Sequence, residues 1–549
     1  MFACPRSSHA LRRLRPPREN GHALFEPPLV AVPTVLKANS HRARRYEYDV
    51  QGRSLVELAV TARRELVTQA RDYTRRYRDV DVPAANPLEH VLLAGHQPEL
   101  FHPGVWLKNF VLGSLAERLG GMAINLLIDS DTIKSTAVRV PGGSVAAPTA
   151  VPICFDRPGL PIPHEERKVL DRALFREFGR HAAKTLRPLV PDPVLAQYWP
   201  LAVGRSEETD VLGQCLAQAR HQLEGAWGLS TWELPQSTVC RFEAFHWFTA
   251  HLLAQLPRLW KLYNGGVAEY RRVHRVRSRA HPVPDLASAD GWLEAPFWIW
   301  NADEPRRRPL FVRPRGNQLV LSDRGKLEIP LRISSESEAR RATEELADLP
   351  RRTIKLRPRA TITTMFARLF LGDVFVHGIG GAKYDELTDQ LIRQFFGLEP
   401  PDYLIVSATV RLPIAHHRVT ADDRHHVQEM LRQLAFHPER HIRPEDMRTT
   451  EERQEVARLV KQKEAWIAAP ATLDNGRARH RGIARANAAL ARWVSDQQRE
   501  LLARQQRIAS ALHNEAILSS REYAFCLHSR ENLRKMMRNL CADDHDGVS

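Results

Sequence analysis

Two segments place glycine beside proton-carrying and anion-binding groups at the end of an apolar run. The first is Gly95-His96-Gln97-Pro98-Glu99-Leu100-Phe101-His102-Pro103-Gly104, directly after Val91–Ala94. His96 and His102 can donate to a phosphate or shuttle a proton. Backbone N–H groups where the next helix opens favour an anion. Two histidines and a glutamine exceed what a tight turn needs, so Gly95, His96, Gln97, His102, Gly104 and Lys108 are candidate site residues. The second segment is His377-Gly378-Ile379-Gly380-Gly381-Ala382-Lys383-Tyr384-Asp385, after the apolar Asp373–His377. A glycine loop between strand and helix lets backbone amides approach a ligand closely. His377, Gly378, Gly380, Gly381, Lys383 and Asp385 join the candidates.

Three further stretches carry charge or aromatic surface. Asp129-Ser130-Asp131 can orient a substrate amine, bind a ribose or metal, or form a helix cap or turn. In Arg357-Pro358-Arg359-Ala360-Thr361, Thr361 can cap a helix while Arg357 and Arg359 grip a carboxylate or phosphate. Surface arginines beside a cap are the alternative. Trp298, with Glu294 and Arg306–Arg308, is either a substrate wall or a packed aromatic edge.

Other chemistries are disfavoured. The glycines match neither G-x-G-x-x-G nor G-x-x-x-x-G-K-[ST]. There is no H-E-x-x-H, no G-x-S-x-G, and no cysteine in a nucleophile's context. His416, His417, Asp422, Asp423, His425 and His426 lack a recognised ligand spacing, so no metal is expected. Six dispersed cysteines in 549 residues indicate a reducing cytoplasm rather than a disulfide framework. No window approaches the ~18 apolar residues of a membrane span. The net charge of +16 comes largely from arginine spread along the chain, by coding bias and solvated faces. Nucleic acid is the alternative partner for such a balance.

These segments need elements to hold them. Apolar Val91–Ala94 and Ala123–Ile128, with the helical Val105–Leu119 between, form a βαβ unit and imply a doubly wound parallel sheet. The pattern resumes with a helix at Thr361–Leu371, a strand at Asp373–His377, a helix at Lys383–Phe396 and a strand at Tyr403–Val410. The expected organisation has six parts. Residues 1–45 are a disordered Arg/Pro-rich leader, and 46–155 form the first half of the core. Residues 156–350 are an inserted mixed region and 351–415 the second half. Residues 416–515 form an antiparallel coiled-coil hairpin bending at Asn475-Gly476, and 516–549 return to the core. The hairpin rests on Ile483, Leu490, Val494, Leu501, Ile508 and Leu512 facing Val456, Leu459 and Trp466. It serves as a dimer arm or a brace, with a non-catalytic dimeric scaffold as one alternative, or as a basic arm for RNA through Arg477, Arg479, Arg481 and Arg485.

At the same segments the chain resembles the bacillithiol biosynthesis cysteine-adding enzyme family. The family's "GQQ…GLFTGP" loop corresponds to Gly95–Gly104, and its acidic "EDHD" stretch to Asp129-Ser130-Asp131-Thr132. Its "RP…Y(I/V)GGxGE(L/I)" segment corresponds to Arg357-Pro358 through Gly381. His96 replaces a glutamine, and the glutamate after the glycines is absent. The resemblance covers about 88–155 and 350–540. It implies a Rossmann-like core, a coiled coil that mediates homodimers, and an enzyme joining cysteine to an amino-sugar conjugate, glucosaminyl malate. On that reading Arg357 and Arg359 hold a carboxylate or phosphate. His96 and His102 act as proton donor and electrophilic stabiliser, with Gln97 beside them, and Asp129 or Asp131 orients the amine. Gly378, Gly380 and Gly381 supply backbone donors. An unactivated carboxylate is a poor acyl donor, so ATP or ADP is a candidate cofactor that no motif decides.

Overall fold

Val91-Leu92-Leu93-Ala94 has no polar alternation because both its faces are covered: it lies inside a six-stranded sheet. The computed structural model describes residues 14–80, 90–333, 336–416, 419–470, 472 and 474–542. The sheet's strands are β1 (His22–Glu26), β2 (Val91–His96), β3 (Met122–Leu127), β4 (Trp232–Pro235), β5 (Val374–His377) and β6 (Leu404–Thr409). Their order is β1-β6-β5-β2-β3-β4. β2 to β6 pair in parallel, and β1 runs antiparallel to β6. From β2 the chain proceeds outward through β3 and β4. From β5 it proceeds the other way, to β6. The direction therefore reverses between β2 and β5, the place where an open parallel sheet leaves a crevice at its carboxyl edge.

The helix Pro103–Leu119 links β2 to β3. His102 caps it, and Gly120 ends it at φ 62, a left-handed conformation suited to glycine. A second, antiparallel sheet contains Trp292–Asn301, Glu304–Arg315, Gln318–Ser322, Glu328–Leu331 and Ile354–Pro358. Its hairpin at Asp323-Arg324-Gly325 is held by Asp323 Oδ1, which accepts from the Gly325 N–H at 2.8 Å.

The chain forms two compact units: 1–140, 151–413 and 521–549 in one, 141–150 and 414–520 in the other. Several expectations are corrected. The leader expected over 1–45 contains β1 and the helix Val32–Ala43, and Asn39 Nδ2 donates to the Asp373 and Asp402 carbonyls at 2.7 Å each; residues 1–13 lie outside the described residues. The region 156–350 is not a separate insertion, because it supplies β4 to the central sheet. Ile354–Pro358, expected in the second half of the core, pairs with Trp292–Asn301 in the antiparallel sheet instead. The glycine loop after β5 is the start of a helix, Ile379–Leu391, with Gly378 at its cap.

The second unit holds four main helices rather than one hairpin: Ala421–Phe436, Thr450–Ala468, Gly476–Leu490 and Ser495–Leu518. Thr450–Ala468 and Gly476–Leu490 pack together, as do Ala421–Phe436 and Ser495–Leu518. The expected long arm is interrupted at Ala491–Val494 by a tighter turn. Leu490, Val494 and Ile508 are buried, whereas Leu501 and Leu512 are only half-buried. No helix among the described residues is long and apolar enough to cross a membrane.

Candidate functional site

A cavity of about 840 Å³ opens where the sheet direction reverses. Gly95, His96 and Gln97 enter it from β2, Ser130 and Asp131 from β3, and His377 to Gly381 from β5. Segments almost 300 residues apart in sequence therefore meet at one edge.

The β2 side is deeply buried. The His96 ring packs edge-on against Phe101, with centroids 4.8 Å apart. Burial, then the charge of Lys108, pushes its pKa down to about 3, so His96 is a neutral imidazole at pH 7. His102 lines the cavity too, but its Nδ1 accepts from the Gly104 N–H at 3.1 Å. That nitrogen is committed to capping the helix, which leaves Nε2 as the ring nitrogen not used by the cap. Gly104 also has a packing reason: a Cβ there would lie 2.2 Å from the Ala408 carbonyl oxygen of β6. Lys108 is 4% exposed and donates to the Gly95 carbonyl at 2.9 Å. Burial pushes its pKa down to about 8.

The two aspartates after β3 separate cleanly. Asp129 does not line the cavity. Its carboxylate accepts from the Ser237 N–H at 2.9 Å and the Ser237 hydroxyl at 2.5 Å. Burial, then the charge of Glu165, pushes its pKa up to about 7. Asp131 lines the cavity and accepts from Gln97 Nε2 at 2.9 Å and Arg307 Nη1 at 2.8 Å. Burial favours its neutral form, but the Arg307 charge and these hydrogen bonds outweigh it and hold the pKa below the usual carboxylate value.

The arginines divide in the same way. Arg357 is bound through two bonds of 2.8 and 2.9 Å to Glu165 and does not line the cavity, so its fork is not open to a substrate. Arg359 does line it, held by Glu294 and stacked 4.1 Å from the Trp298 ring centroid. Arg307 approaches the same indole at 4.3 Å. Trp298 is thus a wall carrying two guanidiniums. Thr361 lines the cavity without capping the helix Ala360–Phe366. Gln236 bridges the floor, accepting from Ser130 at 2.7 Å and donating to Thr363 at 2.6 Å.

On the β5 side, His377 Nε2 lies 2.7 Å from Asp385 Oδ2. Asp385 is fully buried and also accepts from Thr364 at 2.7 Å and Arg368 at 2.9 Å. Burial acts to raise its pKa, but the charges of His377 and Arg368 and these bonds keep it well below the ordinary value. It faces His377 and does not line the cavity. Gly381 permits this arrangement: a Cβ there would sit 2.7 Å from His377 Nδ1. Gly378 and Gly380 face open space, and Lys383 lines the same mouth.

Arg307, Tyr263, Tyr384, Ser407 and Arg521 also line the cavity and were not anticipated individually. Only Arg307 had a signal, the Arg306–Arg308 run near Trp298. Behind this site, His221, Glu224 and Glu233 converge with ligand-like spacing. Arg220 donates to both carboxylates, at 2.6 and 2.5 Å, which makes the group an internal ion-pair cluster. Among the described residues, the histidines considered for metal form no group with ligand-like spacing. His416 lies 2.9 Å from Glu515, and Asp423 caps a helix, while His417 falls outside the described residues. No family model matches the chain, and no curated protein matches it.

Proposed function

We propose that this cavity is the active site of a cysteine-ligase-like enzyme that joins an amine to a carboxylate-bearing partner. The observation that carries the reading is the convergence of Gly95–Gln97, Asp131, Arg359 and His377–Gly381 on one cavity at the sheet's reversal point. These are the segments on which the resemblance to the bacillithiol cysteine-adding family rests. In this reading His377 is the base: Asp385 faces Nε2, and Nδ1 takes a proton from the attacking ammonium. Lys108 and the amides from Gly378 to Gly381 hold the partner's anionic end. Gln97 and Arg307 keep Asp131 ionised, and Asp131 orients the amine. ATP or ADP is the candidate co-reactant that activates the carboxylate. The reading also carries a Rossmann-like core, a homodimer through the helical unit and a cytoplasmic location.

The test is ligation of cysteine to glucosaminyl malate followed by mass detection, with and without ATP. The wild type is expected to form product. His377→Gln is expected to lower turnover by about 10²–10⁴-fold, the usual contribution of a positioned base. Absence of product under either condition sinks the substrate assignment. Full turnover by His377→Gln sinks the assigned base.

A further inference from the structure

The smaller unit carries a charged surface that the cavity chemistry does not use. Between Asp474 and Asp496 there is no acidic residue, yet Arg477, Arg479, Arg481, Arg485 and Arg492 fall in that stretch. Two of the five have structural work. Arg479 donates to the Trp466 and Ile467 carbonyls at 2.9 and 3.1 Å, tying off the end of Thr450–Ala468. Arg492 pairs with Glu455 at 2.5 Å.

Arg477, Arg481 and Arg485 do neither, although Arg481 Nε donates to the Arg477 carbonyl at 3.3 Å within the helix. They are exposed on one face of Gly476–Leu490, four residues apart, and no carboxylate among the described residues forms an ion pair with them. At 1.5 Å per residue the three span about 12 Å in even steps of about 6 Å. The opposite face is fixed. Ala486, Asn487 and Leu490 are buried, and a Cβ at Gly482 would come within 2.4 Å of the Trp466 indole. The stripe therefore points one way.

Three like charges at this spacing repel one another, with no acid on the helix to offset them. Every other main helix of the unit places acids in its first turn: Asp422 and Asp423, Glu451 and Glu452, and Asp496. Gly476–Leu490 has none there and places Arg477 instead, against the helix dipole. The arrangement costs stability in the free protein, and an evenly charged polyanion removes that cost. The residues beside the stripe are Ala478, His480, Ala484 and Ala488. A membrane-surface helix sets large apolar or aromatic side chains beside its cations, and these alanines do not fit that pattern.

We infer that Arg477, Arg481 and Arg485 form a docking stripe for the phosphate backbone of a nucleic acid. Each guanidinium fork takes a phosphate. The contacts assigned here go to phosphates, which carry no sequence information.

The test is fluorescence anisotropy of the full chain with a labelled 20-nucleotide single-stranded RNA between 50 and 200 mM salt. Three lost phosphate contacts at about 0.7 each predict that R477Q/R481Q/R485Q lowers the log–log salt slope by about 2. Over this range the wild type then loses about 20-fold more affinity than the variant. R340Q/R351Q/R352Q removes equal charge from exposed positions elsewhere and is expected to leave the slope near the wild-type value. Circular dichroism confirms that both variants keep their helices. Equal slopes for the wild type and R477Q/R481Q/R485Q overturn the proposal, as does an equal drop in both variants. It is also overturned if the wild type binds neither this RNA nor a DNA duplex of the same sequence, or if it binds only phosphatidylserine vesicles.

Discussion

The helix Pro103–Leu119 borders two buried polar groups of opposite character. From one side Trp106 and Asn109 donate to Glu224 at 2.6 and 2.7 Å, joining the cluster of Arg220, His221 and Glu233. From another, Lys108 reaches the cavity floor. Burial is almost the same, with Arg220 5% and Lys108 4% exposed. What differs is closure. Arg220 has a carboxylate on each side, whereas Lys108 has one carbonyl and an open cavity. Neither burial nor residue type separates structural charge from charge available for chemistry. The completeness of the partner set does.

The strongest way to break this comparison is to remove the closure. Arg220→Leu strands Glu224 and Glu233 and is expected to cost about 3–5 kcal/mol. Urea unfolding measures it. R220L/E224Q/E233Q removes the stranded charges and is expected to recover much of that loss. An unchanged midpoint for Arg220→Leu would mean that the cluster is not the closed network described.

At the cavity the sign reverses, because there a small change harms chemistry more than stability. Gly381→Ala puts a Cβ 2.7 Å from His377 Nδ1. Alanine favours the helix by about 0.5–1 kcal/mol, which offsets part of the cost of moving the buried imidazole, so the unfolding midpoint is expected to change little. Displacing the imidazole is expected to lower ligation turnover up to about 10²-fold. Equal turnover in the two proteins would remove His377 from the mechanism.

The gentlest test concerns Asp129, which lies between the two classes: buried and bonded, yet without an ion-pair partner of its own. Burial raises its folded pKa from the ordinary carboxylate value of 3.8 to about 7. Its contribution to stability is therefore complete below about pH 4 and is lost as pH rises through 7. Asp129→Asn is expected to flatten that fall between pH 5 and 8 by about 1–2 kcal/mol. Denaturation midpoints across that range check it. An unchanged profile would mean that Asp129 titrates as an ordinary carboxylate.

Parts of this site were legible because local sequence determined them. Apolar runs ending in Gly95, Asp129 or His377 mark strand ends, and a parallel sheet gathers strand ends at one edge. Other parts depended on distant partners. Arg357 and Arg359 look alike in sequence, and only Glu165 and Glu294 decide which is sealed and which faces the cavity. β4 escaped notice because Trp-Glu-Leu-Pro has neither alternation nor an apolar run; Glu233 is tolerated inside because Arg220 meets it. β1 was hidden by the prolines around it. The stripe from Ile483 to Leu512 reported helices correctly but not their partners, since periodicity does not say which helix a face meets.

The longer segment of the smaller unit, 414–520, has its two ends close together. His416 Nε2 lies 2.9 Å from Glu515 and 3.1 Å from the Ser519 hydroxyl. Just outside the unit, Arg521 donates to Thr409 at 3.2 Å. The two ends of that segment are therefore stapled to each other. Closing a loop costs only about 0.6 kcal/mol for each doubling of its length. The staple thus makes the segment tolerant of change in length: its helices can be extended or shortened, over evolutionary time or by engineering, at little entropic cost while its ends stay together.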